Sequence, residues 1–178
     1  AAPLGSAILQ PSVHDGGIID ANRLATLERF VPLIESSTGS NRVDAAIAKL
    51  DSADAMNTGI CTLGAIGGIA TVTVETRIHK HGRTTGYTAG IVDDPSVDTL
   101  IPLRRDDPTV LTQFVDQLRI RPASGQFAFA QPGDSGALVL TKAGNAAIGL
   151  LFACPDNGSF AYANPIAAVL DALEIDLE

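Results

Sequence analysis

Short apolar segments separated by clusters of Gly, Pro, Asn and Asp recur along the whole chain, and this pattern constrains the fold most. The 178 residues include 17 Gly and 10 Pro, which indicates many turns and excludes a coiled coil or a simple helical bundle. Aromatic residues make up only 4% of the chain, so Ala, Val, Ile and Leu must build the core. The sequence therefore predicts an all-β protein of many short strands, as one domain of ordinary size or two very small ones.

Two groups of strands are predicted on either side of a polar connection at residues 51–58. In the first group, residues 7–10 and 24–33 are predicted strands, the second bent by Pro32, and residues 43–50 fit a strand or a helix. The second group is predicted at residues 70–78, 82–92 (a turn and then a strand), 110–120, 126–130, 136–141, 147–154 and 159–163, with charged loops at 93–98 and 104–108.

The end of the chain is predicted to be an amphipathic helix. Asn164 is a favourable N-cap residue, and Pro165 suits the first helical position. Apolar residues then fall on one helix face at Ile166, Val169, Leu170 and Leu173. We expect this helix to dock on the strands and to carry no catalytic group.

Charge and hydropathy exclude several classes of partner. The net charge of −8 repels phosphate backbones, which argues against nucleic-acid binding. No apolar run approaches the roughly 20 residues of a membrane span. The chain begins Ala1-Ala2-Pro3 without an initiator Met or a signal region. We therefore expect either a removed leader or one piece of a longer precursor, and a cytoplasmic and a secreted location both remain open.

The segment Gln131-Pro132-Gly133-Asp134-Ser135-Gly136 has the clearest chemical meaning. Gly133 allows a tight turn, which can direct the N–H groups of Gly133 and Ser135 at one point. Two such donors can hold the oxyanion of a tetrahedral intermediate, at about 2.7–4 kcal/mol per donor. The Ser135 hydroxyl would then be free to attack a carbonyl. The alternative is a plain turn between two strands.

Asp44 is the second candidate, because it is a lone carboxylate in the apolar segment 43–48. A buried carboxylate without partners is costly, so burial there predicts specific partners. The functional interpretation is that Asp44 orients and stabilises a catalytic histidine. The alternative is an N-cap or solvent-facing residue.

These motifs resemble the chymotrypsin/trypsin-like serine peptidase family. A bacterial branch carries Lys-x-Gly-Arg-Thr-Thr-Gly-x-Thr-x-Gly between the Asp and Ser motifs, and residues 80–90 of this chain match that pattern. This chain also resembles that branch at residues 8–11, 15–17, 149–151 and 164–166. The resemblance covers nearly the whole chain.

The family implies a chymotrypsin-like double β-barrel with the active site in the crevice between the barrels. Residues 1–57 would be the remainder of an incomplete N-terminal barrel, and residues 58–178 the C-terminal barrel with its terminal helix. In the triad order His, Asp, Ser, Asp44 and Ser135 match the last two members. Gly133 and Ser135 match the oxyanion hole, and Asp134 matches the acid that holds the nucleophile loop.

By family position, Phe129 would lie near the base of the specificity pocket, with Leu151, Phe152 and Ala153 along one wall. No acid is found at that depth, which disfavours a preference for Lys or Arg. We expect the pocket to accept an apolar or small side chain.

The catalytic histidine is the one family residue without a match. In this branch it lies in an Asn-His-Val-type segment that would precede Ala1. We therefore expect a C-terminal fragment that autoproteolysis releases from a precursor and that is inactive alone. An N-terminal fragment of the same precursor would carry the His and stay associated. His14 is the weaker substitute within the chain.

His79 and His81 are two residues apart and would share one face of a strand, but a third ligand is not evident, so we expect exposed strand positions, no metal and no cofactor. Cys61 and Cys154 fit one disulfide or two thiols equally well. The predicted function is a serine endopeptidase that acts on a protein or peptide. The alternatives are a non-catalytic pseudo-peptidase that binds a peptide or partner, and an esterase with the same triad.

Overall fold

The computed structural model describes residues 2–102, 107 and 109–177. Strands dominate, and the only helix longer than one turn in this part of the chain is at its C-terminal end, so the all-β prediction is confirmed. The strands are β1 (Ala7–Leu9), β2 (Arg23–Phe30), β3 (Ser40–Asn41), β4 (Ala46–Leu50), β5 (Arg77–Gly82), β6 (Gly86–Pro102), β7 (Leu111–Pro122), β8 (Leu138–Thr141), β9 (Ala147–Ala153) and β10 (Ala161–Pro165). The helices are α1 (Ile19–Asn22) and α2 (Ile166–Leu173), with 3₁₀ turns at Val13–Asp15 and Ala53–Ala55.

The strands form two sheets. β1, β2 and β4 make a small antiparallel sheet with β2 in the middle. The second sheet has the order β10-β9-β8-β5-β6-β7, and pairing of β10 with β7 closes these six strands into a ring. β3 pairs in parallel with β7 outside this ring, so a strand from the first third of the chain attaches to the second sheet.

Two hydrophobic clusters hold the sheets together. The first is made by ring-strand side chains such as Ile78, Ile120 and Leu151, together with the fully buried Phe129. The second joins the apolar face of α2, through Ile166, Val169 and Leu173, to Leu140, Ala147 and the segment at residues 43–45. The C-terminal helix therefore packs next to Asp44.

Several local predictions are wrong. Residues 70–76 are not a strand, since β5 begins only at Arg77, and residues 126–130 form an irregular loop. Residues 93–98 belong to the long strand β6 and are not a loop. The predicted loop at 104–108 lies outside the described residues except for Asp107.

The start of α2 also differs from its prediction. Pro165 occupies the N-cap position with extended backbone angles and makes no side-chain capping bond. Asn164 belongs to β10, where its side chain is buried and bonded elsewhere. Among the described residues, no helix is long and apolar enough to cross a membrane.

Candidate active site

The loop at residues 131–136 leads into β8 and presents Ser135 to solvent. Gly133 and Gly136 have φ angles of +99° and +88°, which side-chain-bearing residues rarely adopt. A Cβ atom on Gly133 would also lie only 2.4 Å from the Thr84 Oγ1 atom. The Gly136 N–H donates to the Leu151 carbonyl at 2.8 Å, and the Ser135 Oγ donates to the Phe152 carbonyl at 3.1 Å. Local glycine geometry and β9 thus fix the loop around the serine.

The two N–H groups predicted to form an oxyanion hole are available to a ligand. Neither the Gly133 N–H nor the Ser135 N–H donates a hydrogen bond to another described residue. By contrast, the intervening Asp134 N–H donates to the Gln131 carbonyl at 3.0 Å. The oxyanion-hole assignment stays a prediction, and these two donors are free to serve it.

Asp134 is the best-satisfied polar group of the site, with only 1% of its surface exposed. Its Oδ1 accepts hydrogen bonds from the N–H groups of Thr84 and Thr85, at 2.8 and 3.1 Å. Its Oδ2 accepts from the Thr85 hydroxyl at 2.7 Å and the Gln131 N–H at 3.1 Å, and pairs with Lys80 Nζ at 3.2 Å. Burial alone would raise the pKa of Asp134, but the hydrogen bonds from Thr85, Gln131 and Thr84 outweigh it and lower the pKa to about 2.

Lys80 is the site residue that the sequence reasoning missed, and its side chain is fully buried. Its Nζ also donates to the Thr85 hydroxyl and, at 3.3 Å, to the Gly86 carbonyl. Burial lowers the pKa of Lys80, while the neighbouring Asp134 carboxylate acts in the opposite direction. The available signal was the position of Lys80, two residues after the apolar Ile78 and just before the glycine-rich turn. This spacing puts the lysine on the buried face of the strand, and a buried ammonium requires a carboxylate partner.

The Lys-x-Gly-Arg-Thr-Thr-Gly motif is thus explained as a cradle for Asp134. Lys80 supplies the charge, and Thr84 and Thr85 supply hydrogen bonds. Gly82 allows the approach, since a Cβ there would lie 2.4 Å from the Asp134 Oδ1 atom. Arg83 points elsewhere and forms an exposed ion pair with Asp15.

Asp44 lies between β3 and β4, and its surroundings differ from the prediction. We expected a buried carboxylate, but Asp44 is exposed, whereas its neighbours Val43 and Ala45 are buried. The reason is the extended backbone, in which successive side chains point to opposite sides. Nearby protein atoms still desolvate the carboxyl group enough to raise its pKa. No described residue forms a hydrogen bond or ion pair with this carboxylate.

Ser135 lines a cleft of about 840 Å³. The lining also includes Ser12, His14, Arg83, Ile101, Pro102, Pro132, Gly133, Phe152, Ala153, Cys154, Pro155 and Asp156. Of the predicted pocket residues, Phe152 and Ala153 thus reach the cleft, whereas Phe129 and Leu151 are buried in the core. Asp44 does not line the cleft.

The turn carrying His14 is fastened to the cleft by ionic contacts. Asp15 pairs with Arg83 and accepts a hydrogen bond from the Ser12 hydroxyl at 2.8 Å. The hydrogen bond from Arg83, with a smaller contribution from Ser12, lowers the pKa of Asp15. His14 therefore shares the cleft with Ser135.

The remaining histidines and the cysteines have other roles. His79 is buried, contrary to its prediction, and its Nε2 bonds to the Asn145 side chain at 2.9 Å. The half-buried His81 bonds to the Thr62 hydroxyl at 3.0 Å. No group of potential metal ligands occurs in the described part of the chain. Cys61 is exposed, Cys154 is half-buried, and no disulfide joins them.

No family model matches the sequence, and no curated protein matches it. Solved structures do match. Thermobifida fusca protease A is 16% identical, over 97% of this chain and 77% of that chain, with a TM-score of 0.63. Nocardiopsis protease is 16% identical over 97% and 78% of the two chains (TM-score 0.62), and Cellulomonas bogoriensis chymotrypsin 17% over 92% and 79% (TM-score 0.61). The chain therefore has the fold of chymotrypsin-like serine proteases.

Proposed function

We propose that this chain carries the nucleophile and the orienting acid of a serine endopeptidase. The main support is the loop at residues 131–136. Ser135 is exposed there, and the N–H groups of Gly133 and Ser135 have no acceptor among the described residues. The buried Asp134 between them is held by several hydrogen bonds. Such rigid support is what a preorganised nucleophile and oxyanion hole require. The protease fold agrees with this assignment.

In the proposed reaction, the Ser135 Oγ attacks a peptide carbonyl while its proton passes to an imidazole. The N–H groups of Gly133 and Ser135 hold the negative oxygen of the tetrahedral intermediate. The imidazolium returns the proton to the leaving amine, and water then hydrolyses the acyl-enzyme by the same steps. Asp44 orients the imidazole and stabilises its positive form.

We further propose that residues 1–178 do not contain this imidazole. The unpartnered, exposed carboxylate of Asp44 supports a histidine supplied by an N-terminal fragment of the same precursor, which autoproteolysis would separate from this chain. Such a fragment would be retained by strand pairing, because β1 and β4 are edge strands of the small sheet within the described residues. The chain alone would then be inactive.

The substrate is proposed to be a protein or peptide with an apolar or small residue before the cleaved bond. Phe152, Ala153 and Pro155 give the cleft apolar walls, which favours such side chains. Comparing kcat/KM for peptide substrates that carry Ala, Leu or Lys at this position would test this preference.

A non-catalytic binding module is the second candidate. One observation favours it: the Ser135 hydroxyl is bonded to the Phe152 carbonyl, and no histidine bonds to it in the described residues. A pseudo-peptidase would keep the 840 Å³ cleft for a peptide or partner.

Labelling with a fluorophosphonate, followed by intact-mass measurement, separates these candidates. We expect label on Ser135 only when the sample includes a segment that supplies the histidine, and no label in Ser135→Ala. Ser124→Ala, at an exposed loop serine outside the cleft, is the matched control and should label normally. No label in any sample would contradict the peptidase and favour the binding module. Full labelling and activity of a homogeneous 178-residue chain would overturn the external histidine, and loss of that activity in His14→Ala would identify the base.

A further inference from the structure

Asn164 and Gln117 form a fully buried amide pair in the ring, each with no exposed surface. Antiparallel pairing of β10 with β7 places Ala163 opposite Leu118, and Asn164 and Gln117 are the adjacent residues on the two strands. The Asn164 Nδ2 donates to the Gln117 Oε1 at 2.6 Å. Two polar side chains are thus fully buried in a ring whose core cluster is otherwise apolar.

The other end of each amide bonds to the backbone of the Asp44 segment. The Asn164 Oδ1 accepts a hydrogen bond from the Asp44 N–H at 3.0 Å. The Gln117 Nε2 donates to the Arg42 carbonyl at 2.9 Å, and also to the Val115 carbonyl. The pair thus connects the ring to the backbone on both sides of Val43.

A third buried amide supports the start of the same segment. The Asn41 Nδ2 donates to the carbonyls of Ile34 and Gln113, at 2.8 and 3.2 Å, and its Oδ1 accepts from the Ile34 N–H. Residues 41–44 are therefore held by side-chain amides at both ends. The interior of the segment is held by burial of Val43, with Ala45 beyond it.

We propose that Asn164 and Gln117 are positioning residues that set the place from which the Asp44 carboxylate projects. Because no described residue bonds to that carboxylate, its position depends on its backbone, and the amide pair holds that backbone against the ring. The link to catalysis rests on the proposed function, in which Asp44 orients the base. A misplaced acid would hold the imidazole away from the Ser135 Oγ, and a displacement near 1 Å can cost about 100-fold in rate.

The test uses the double variant Asn164→Leu/Gln117→Met, which replaces both amides by apolar groups of similar shape and so preserves packing. Thr141→Val is the matched control, since it removes a buried polar group whose hydrogen bonds go only to residues 143 and 146. In the 178-residue chain, we expect hydrogen exchange of the Asp44 amide to accelerate by about tenfold or more in the double variant. The carboxyl pKa of Asp44, followed by ¹³C NMR, should also move. Neither should change in the control.

In the active complex, the double variant should lower kcat with little change in KM and shift the acidic limb of the pH–kcat/KM profile. Faster exchange of the Asp44 amide shows only that its bond to Asn164 is lost, because the variant removes that acceptor. A purely structural amide pair would leave the carboxyl pKa of Asp44 as in Thr141→Val, and that result would overturn the proposal. If the carboxyl pKa changes but the wild-type complex shows no peptidase activity, the anchoring is supported and the proposed function fails instead.

Discussion

The two aspartates that the proposed function uses, Asp134 and Asp44, have opposite surroundings. Asp134 is buried beside the Lys80 ammonium, and the hydrogen bonds from Thr85, Gln131 and Thr84 outweigh its burial and lower its pKa to about 2. Asp44 is exposed, has no partner for its carboxylate among the described residues, and has a raised pKa because nearby protein atoms desolvate it. The carboxylate beside the proposed nucleophile therefore finds its partners within the described residues. The Asp44 carboxylate finds none there, and only its backbone is anchored.

The difference indicates what each residue does for the fold. A carboxylate whose folded-state pKa is lowered stabilises the protein at neutral pH, whereas one whose pKa is raised costs stability there. Groups that cost stability without a structural partner are typical of functional sites. We therefore expect substitutions at the two positions to differ in sign, and the predictions below test this contrast.

The largest effect is expected for Lys80→Met. This change leaves the Asp134 carboxylate buried without its ammonium partner, so the free energy of unfolding should fall by about 3–5 kcal/mol. Urea unfolding at pH 7 would measure it. Lys142→Met, at an exposed lysine, is the control and should have almost no effect.

A second variant tests whether charge is the cause of this loss. Lys80→Met combined with Asp134→Asn should lose clearly less stability than the sum of the two single changes, because the double variant has no unpaired charge. Strict additivity would show that the two residues do not act as a pair, and the contrast between the two aspartates would lose its basis.

A smaller loss in the free energy of unfolding is expected when the pH is lowered. The pKa of Asp134 is about 2 in the folded chain against an ordinary value of 3.8, so the stabilisation is fully present above pH 4. It should be lost as the pH falls from about 4 to below 2, at a cost of about 2 kcal/mol. Unfolding free energies of wild type and Asp134→Asn over this range would measure it. Parallel acid slopes in the two proteins would contradict the lowered pKa.

Sequence patterns predicted the strands well where polar residues flank an apolar run on both sides. Residues 110–120 and 147–154 correspond closely to β7 and β9. The pattern failed at residues 126–130, because Ala128, Phe129 and Ala130 are buried while their backbone pairs with no strand. The Phe129 carbonyl instead accepts a bond from the Thr88 hydroxyl at 2.6 Å. An apolar loop that fills a core cannot be distinguished from a strand by periodicity alone.

In the candidate site, too, features encoded by neighbouring residues could be predicted, and contacts between distant residues could not. The turn around Ser135 could be predicted because its glycine geometry is encoded within six consecutive residues. The partners of Asp134 and the anchors of Asp44 could not, since Lys80 lies 54 positions before Asp134 and Asn164 lies 120 positions after Asp44. Such contacts depend on how strands pair, and one sequence carries no local signal for that pairing.

The smallest effect, with the opposite sign, is expected for Asp44→Asn. Desolvation raises the pKa of Asp44, so the folded chain holds this proton more tightly than the unfolded chain does. The cost of the charged form appears as the pH rises through the folded-state pKa and is absent well below 3.8. Asp44→Asn should therefore unfold at equal or higher denaturant than wild type at pH 7, and the difference should vanish in acid. Asp20→Asn, at an exposed residue, is the matched control for loss of one surface carboxylate. A stability loss in Asp44→Asn comparable to that in Asp134→Asn would show that Asp44 has a structural partner, and that the two acids do not differ in the way that their surroundings indicate.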